Sequence, residues 1–307
     1  MRVTEWVVRE APAPQGGSAR GGCLGSKLWM FLEGSYVPSP GELEALKRVA
    51  GLNKLYLAFL RRARGVFYGE WLREEARFRW FARNAVEVVR ALEGLDYALF
   101  KFRRPVDHVS VDLDVLVDAG NVPAAASRLR GLGFRVVVWE PYTVTLERRG
   151  FVVDLYAHPS FAWVVYMDGG LLLEEAEDAE LNGVHARVLT ESAEAVVAAA
   201  HAVYKEHMVL LLDCMTVERW ADGSAEELSR ALKAHAALQL VEEVCRSVRS
   251  GAAEAPYRLP LPVAVRVLAG KAAVDPHTRA TLLNALRYLS RRDFGRGLAW
   301  RILRESY

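Results

Sequence analysis

The chain reads as an α/β (α+β) protein in which a small mixed sheet is flanked by N- and C-terminal helical regions. Three observations carry that reading. Residues 96–190 string short β-branched runs together with turn signals and one helical stretch. Residues 39–95 and 191–307 instead carry apolar positions at helical spacing. Residues 1–38 contain the Gly- and Pro-rich run Ala11–Gly25 and read as an irregular arm.

Bulk composition bounds the function. The 307 residues are 52% hydrophobic and 25% charged, ordinary for a globular protein able to bury a core. A formal net charge of only +2 does not announce a nucleic-acid binder. Cys23, Cys214 and Cys245 stand in no metal-ligand spacing and fit a reducing cytosol without disulfides. No apolar run approaches a membrane span, and Glu5, Arg9 and Glu10 stand where a signal peptide would need its apolar core. A cytoplasmic protein with no membrane partner is therefore expected, its oligomeric state open.

The elements follow in order. A helix is expected from Pro40 to about Arg64, with Leu43, Leu46, Val49, Leu55, Leu57 and Leu60 on its apolar side. A second covers about Gly69–Leu92, where Trp71, Phe78, Ala85 and Leu92 recur every seven residues as one buried stripe. Arg73, Arg77 and Arg83 lie around that stripe, so RNA bound by stacking and phosphate contacts is a competing reading. If the stripe is structural, Trp71, Phe78, Phe81 and Val88 should be buried against the sheet. Strands are expected over 97–102, 108–117, 135–139, 143–148 and 151–156, with a helix over 122–132 capped by Asn121. One helix should span about 193–220, and others 225–250, 263–271 and 277–290. The basic end, Arg291, Arg292, Arg296, Arg301 and Arg304, reads as a solvated face.

The chemistry sits in Val111-Asp112-Leu113-Asp114-Val115. Side chains two apart on a strand share a face, so Asp112 and Asp114 project together and repel. A divalent cation such as Mg2+ or Mn2+, which favours carboxylate oxygen, would offset that cost. Asp154, set among Val152, Val153 and Leu155, is the natural third carboxylate. Two plainer readings stay open: an edge strand with two exposed acids, and an ion pair between Asp154 and Arg148.

Asp112-Leu113-Asp114 on a strand with a later strand acid resembles the nucleotidyltransferase fold shared with polymerase β. Lys101, and His201, His207 and Asp213 within Ala198–Trp220, are similar to an uncharacterised nucleotidyltransferase family of that superfamily. The resemblance implies that Asp112, Asp114 and Asp154 are catalytic and hold Mg2+ or Mn2+. It further implies that Lys101, Arg103, Arg104, His201 and Lys205 bind a nucleoside triphosphate. The activity implied is transfer of a nucleoside monophosphate to an unidentified hydroxyl acceptor, with pyrophosphate release. Where the family pattern has a glycine, this chain reads Phe100-Lys101-Phe102-Arg103-Arg104-Pro105, so its cations would hold phosphate by charge. Lys101 is expected to touch phosphate and not the ion. The alternative is a catalytically silent module of the same fold that binds nucleotide, RNA or a protein partner. Zinc at His201, Glu206 and His207 is disfavoured, because histidines six apart on one helix face different ways. Asp213 is expected to satisfy a buried hydrogen bond or an arginine rather than bind a metal.

Overall fold

The computed structural model describes residues 23–290 and Ser306. The basic C-terminal arginines and most of the N-terminal arm lie outside the described residues.

Helix α1 (Leu24–Glu33) falls inside the stretch expected to be irregular. Leu28, Trp29 and Phe31 are buried, giving the segment an apolar side that its glycine-rich approach conceals. Helix α2 (Pro40–Leu52) starts with a capping box, Ser39 N–H donating to Glu42 Oε2 at 3.0 Å. The single helix expected to run to Arg64 breaks at Asn53-Lys54, and α3 (Tyr56–Arg62) follows. Lys54 turns into the left-handed region at φ 57°. Fully buried Asn53 secures the turn, donating to Val49 O at 2.9 Å and Ala255 O at 3.1 Å and accepting from Leu211 N at 2.9 Å.

Helix α4 (Tyr68–Leu92) forms where expected, but its stripe divides between two cores. Phe81, Ala85, Val88 and Leu92 are buried against the sheet. Trp71 is half-buried against the helical lobe, and Phe78 is half-buried beneath the Arg61 guanidinium. Arg61 pairs with Glu75 and Asp107, and Arg77 with Glu74, so these two cations of the helical region are already engaged.

The sheet comprises β1 (Tyr97–Leu99), β2 (Asp112–Val117), β3 (Arg135–Trp139), β4 (Thr143–Arg148) and β5 (Phe151–Tyr156), with α5 (Val122–Gly131) after β2. A small hairpin, β6 (Ser160–Phe161) with β7 (Val164–Val165), and helix α6 (Gly169–Glu174) follow. Strands β8 (Ala176–Leu181) and β9 (Val184–Leu189) complete the seven-stranded order β3-β4-β5-β2-β1-β9-β8. The last hairpin was not expected from sequence, because β8 carries Glu177, Asp178 and Glu180 and lies at the sheet edge. Strand β1 stops at Leu99, ahead of the left-handed turn at Lys101 (φ 55°), and β2 starts only at Asp112, so both are shorter than expected.

The expected long helix over 193–220 is three pieces: α7 (Glu191–Ala200), a π-helical turn (His201–Glu206), and α8 (Leu211–Trp220). His207 is left-handed at φ 53°, and β10 (Met208–Val209) pairs with β11 (Tyr257–Arg258). Helix α9 (Gly223–Ala231) and α10 (His235–Arg249) replace one expected helix. Helices α11 (Leu261–Val274), α12 (Pro276–Thr281) and α13 (Asn284–Ser290) close the lobe. Cys214 and Cys245 form a disulfide joining α8 to α10, contrary to the expectation of none. Residues far apart in sequence meet here because both helices face one core.

The sheet has two covered faces. Leu113, Val115, Val117, Val153 and Leu155 point to the core shared with α4 and α5. Phe100, Leu116 and Tyr156 belong to the core of the helical lobe on the other face. Helix α6 is pressed so close that a Cβ on Gly169 would lie 1.9 Å from Ala157 O. Neither backbone can yield, so Gly169→Ala is expected to cost about 3 kcal/mol, read from denaturant midpoints at unchanged m-value.

Candidate metal centre

The acids are brought together by register. Strand β2 lies parallel to β5 with Asp114 opposite Asp154, so both project from the same face as Asp112. Oxygen atoms of the three carboxylates lie within 4.8 Å of one another. The alternate positions of both strands are buried in the opposite core, which fixes the acids' direction. The edge-strand reading fails, since β2 lies between β5 and β1. The Arg148 reading fails too: Arg148 pairs with Glu87 and donates to Asn84, while Asp154 accepts from Thr145 Oγ1 at 2.5 Å.

Each acid has a different setting. Asp154 also accepts a long hydrogen bond from the Tyr156 hydroxyl at 3.5 Å. Asp112 accepts from Ser110 Oγ at 3.3 Å. Asp114, only 6% exposed, pairs through Oδ2 with Lys101 Nζ at 2.8 Å. Its Oδ1 is buried with no hydrogen-bond partner. Lys101 therefore touches a carboxylate of the cluster. The strand ends in a left-handed turn that folds its stem back over Phe100 and Tyr156.

Burial pushes the Asp114 carboxyl up to about 6; Lys101 opposes this, while Asp112 and Asp154 add to it. Burial likewise raises Asp154, against the hydrogen bond from Thr145. For Asp112, burial acts upward but Lys101, Lys54 and Lys205 together hold the carboxyl below its ordinary value. The Tyr156 hydroxyl is driven well above its usual range by burial and then by the three carboxylates.

A cavity of about 330 Å³ opens over the acids. Its other wall carries Lys54, Arg104, His108, His201 and Lys205. Lys54 enters it from the Asn53-Lys54 turn, and burial lowers its ammonium against the pull of Asp112 and Asp213. The wider π-helical turn lets His201, Lys205 and Glu206 all line the cavity. Lys205 Nζ donates to the Tyr156 hydroxyl at 3.4 Å. Burial first, then the surrounding cations, push His201 well below the ordinary histidine value, while its Nε2 lies 3.4 Å from Glu206 Oε1. Burial, Arg104 and Lys54 push His108 down to about 3. Asp213 accepts from Leu210 N at 2.9 Å, the buried hydrogen bond expected of it.

Two expected groups lie elsewhere. Arg103 is not among the cavity's lining residues; it pairs with Glu177 and Glu191 across the end of the sheet. His207 turns its Nδ1 to Val203 O at 2.9 Å and packs on Phe161. The 101–104 turn is held from beneath by Glu194, which accepts from Phe102 N at 2.9 Å and Arg103 N at 3.3 Å. Sequence reading missed Lys54, His108, Ser110, Thr145, Tyr156 and Glu194. For Lys54 the signal was present: Asn-Lys is a polar, left-handed-tolerant pair inside an apolar run.

Three clustered carboxylates with one orphaned buried oxygen suit a hard cation that takes oxygen ligands. They can hold a metal ion. No protein-family model matches the chain, and no curated protein matches it. No described helix is long and apolar enough to cross a membrane.

Proposed function

We propose that the protein is a metal-dependent nucleotidyltransferase, moving a nucleoside monophosphate from a nucleoside triphosphate to a hydroxyl acceptor and releasing pyrophosphate. The observation that carries this reading is the carboxylate trio, with Asp114 Oδ1 unpartnered, facing a wall of cations across one cavity. Asp112, Asp114 and Asp154 hold Mg2+ or Mn2+, which when bound neutralises charge on the phosphates.

Lys54, Arg104 and Lys205 bind the triphosphate oxygens by charge-assisted hydrogen bonds. Asp154, oriented by Thr145 and Tyr156, accepts the proton of the acceptor hydroxyl. The acceptor oxygen bonds the α-phosphorus as the α–β bridging bond breaks, and pyrophosphate departs. His108, held neutral, adds no repulsion toward a metal, and His108 and His201 both offer ring nitrogens to the cavity. Lys101 leaves Asp114 for phosphate when the site fills. A cytoplasmic setting suits a triphosphate consumer.

The Lys101–Asp114 pair, standing where the related fold carries a glycine, favours a second reading: a silent module that binds without turnover. Pyrophosphate release, assayed with Mg2+ or Mn2+, all four nucleoside triphosphates and acceptors ranging from small metabolites to tRNA and protein hydroxyls, separates the two. Turnover on any acceptor establishes the transferase. Metal-dependent triphosphate binding without turnover favours the silent module, and no triphosphate binding at an occupied metal site ends the transferase reading.

A further inference from the structure

A second cavity, of about 340 Å³, lies on the far side of the 100–104 turn. It shares Lys101, Arg104, His108, Ser110, Asp112 and Asp114 with the acid cavity, so the two meet at the carboxylates. Its character is different. Phe78, Phe100, Phe102, Val106, Leu181 and Trp220 form an apolar, mainly aromatic wall. Phe78, Phe102 and Trp220 are only half-buried, so their rings retain surface for a ligand. This also accounts for Phe78, which belongs to the helix stripe yet is not fully covered.

Two polar features mark this as a ligand site. The Arg104 side chain is 7% exposed and faces the buried Glu194 carboxylate as a long ion pair, Nη1 to Oε2 at 3.9 Å, yet its Nε and Nη1 have no hydrogen-bond partner although Arg104 lines both cavities where they join. Asn182, at the β8–β9 turn with φ 50°, brings to the rim an amide that both donates and accepts. An aromatic slot with an amide at its edge and a guanidinium at its mouth suits a planar heterocycle joined to an anionic group.

We infer that this second cavity binds the nucleobase of the triphosphate, stacked on the Phe78, Phe102 and Trp220 side, while Arg104 holds the phosphates where the cavities join. The inference rests on the triphosphate reading for the rest of that ligand.

The test uses calorimetry and ligand-observed NMR on the full chain, with three probes. These are the four nucleosides without metal, inorganic tripolyphosphate with Mg2+, and the nucleoside triphosphates with Mg2+. At least one nucleoside should bind in the millimolar range, and its triphosphate should bind roughly ten- to a hundredfold tighter than tripolyphosphate, as one stacked base provides. Phe102→Ala should abolish nucleoside binding and that advantage while leaving tripolyphosphate affinity unchanged. Trp220→Leu is the second variant should Phe102→Ala fail to fold, with melting curves as the check.

Nucleoside binding without tripolyphosphate binding supports the slot and ends the triphosphate reading. Tripolyphosphate bound as tightly as every nucleoside triphosphate, with no nucleoside binding, overturns the slot and leaves that reading standing. Nucleoside binding indifferent to both variants, or no binding of any probe, overturns it as well.

Discussion

Replacing Asp114 with asparagine is expected to raise the melting temperature of the metal-free protein at neutral pH while weakening Mg2+ or Mn2+ binding on the order of a hundredfold. The two effects share one cause. Asp114 is buried beside Asp112 and Asp154, and its carboxyl is raised from 3.8 to about 6 despite the Lys101 ion pair. A carboxyl whose folded value lies above its unfolded value ionises at a cost to the fold. That cost is absent below about pH 4, grows as pH rises to about 6, and is complete above it. Asparagine cannot ionise, so the stability advantage of Asp114→Asn should be largest above pH 7 and vanish near pH 4. Wild-type metal affinity should fall as pH drops below about 6, where a proton competes for Asp114. Differential scanning fluorimetry across pH, with and without Mn2+, reads both. A variant no more stable than wild type at pH 7.5 would mean that the Lys101 pair outweighs the clustered charge.

How much of this was legible in advance depends on the range over which each signal acts. The acid strand and its neighbours were readable because alternation over a few residues fixes a strand and its faces, and Asp154 needed only one adjacent strand to join the pair. The Arg-aromatic helix was readable for the same local reason, although its division between two cores was not. What failed was continuity. Apolar spacing ran unbroken through Asn53-Lys54 and through His201–His207, yet both stretches break, and both breaks deliver cavity residues. The π-helical turn preserves composition while changing which side chains face inward, so periodicity counted at helical spacing cannot see it. The disulfide and the Glu194 support of the 101–104 turn depend on contacts across 31 residues and roughly ninety residues of chain, for which no local pattern exists. Arg103 and Arg104 are adjacent and chemically identical, yet only Arg104 lines the acid cavity, because Glu177 and Glu191 capture its neighbour.

Lys101→Met is expected to tighten divalent-cation binding roughly tenfold while weakening nucleoside triphosphate binding by a similar factor. The opposite signs follow from where the ammonium sits. At 2.8 Å from Asp114 Oδ2 it occupies a carboxylate oxygen that a metal needs, so an arriving cation must displace it. Removing the charge frees that oxygen and leaves the cluster more negative, which favours the ion. Once the ion is bound, the displaced ammonium is the nearest mobile cation for phosphate, and methionine cannot replace it there. Backbone and charge are separable at this position. Lys101 holds φ 55°, where a residue with a Cβ is strained and glycine is not. Lys101→Gly should therefore match Lys101→Met in its metal and triphosphate affinities, yet exceed it in stability by about 1 kcal/mol. Calorimetric titration with Mn2+, first alone and then with a non-hydrolysable triphosphate, distinguishes the cases. Metal affinity unchanged in both variants would show that Lys101 does not compete for Asp114, and its place in the site would then be structural.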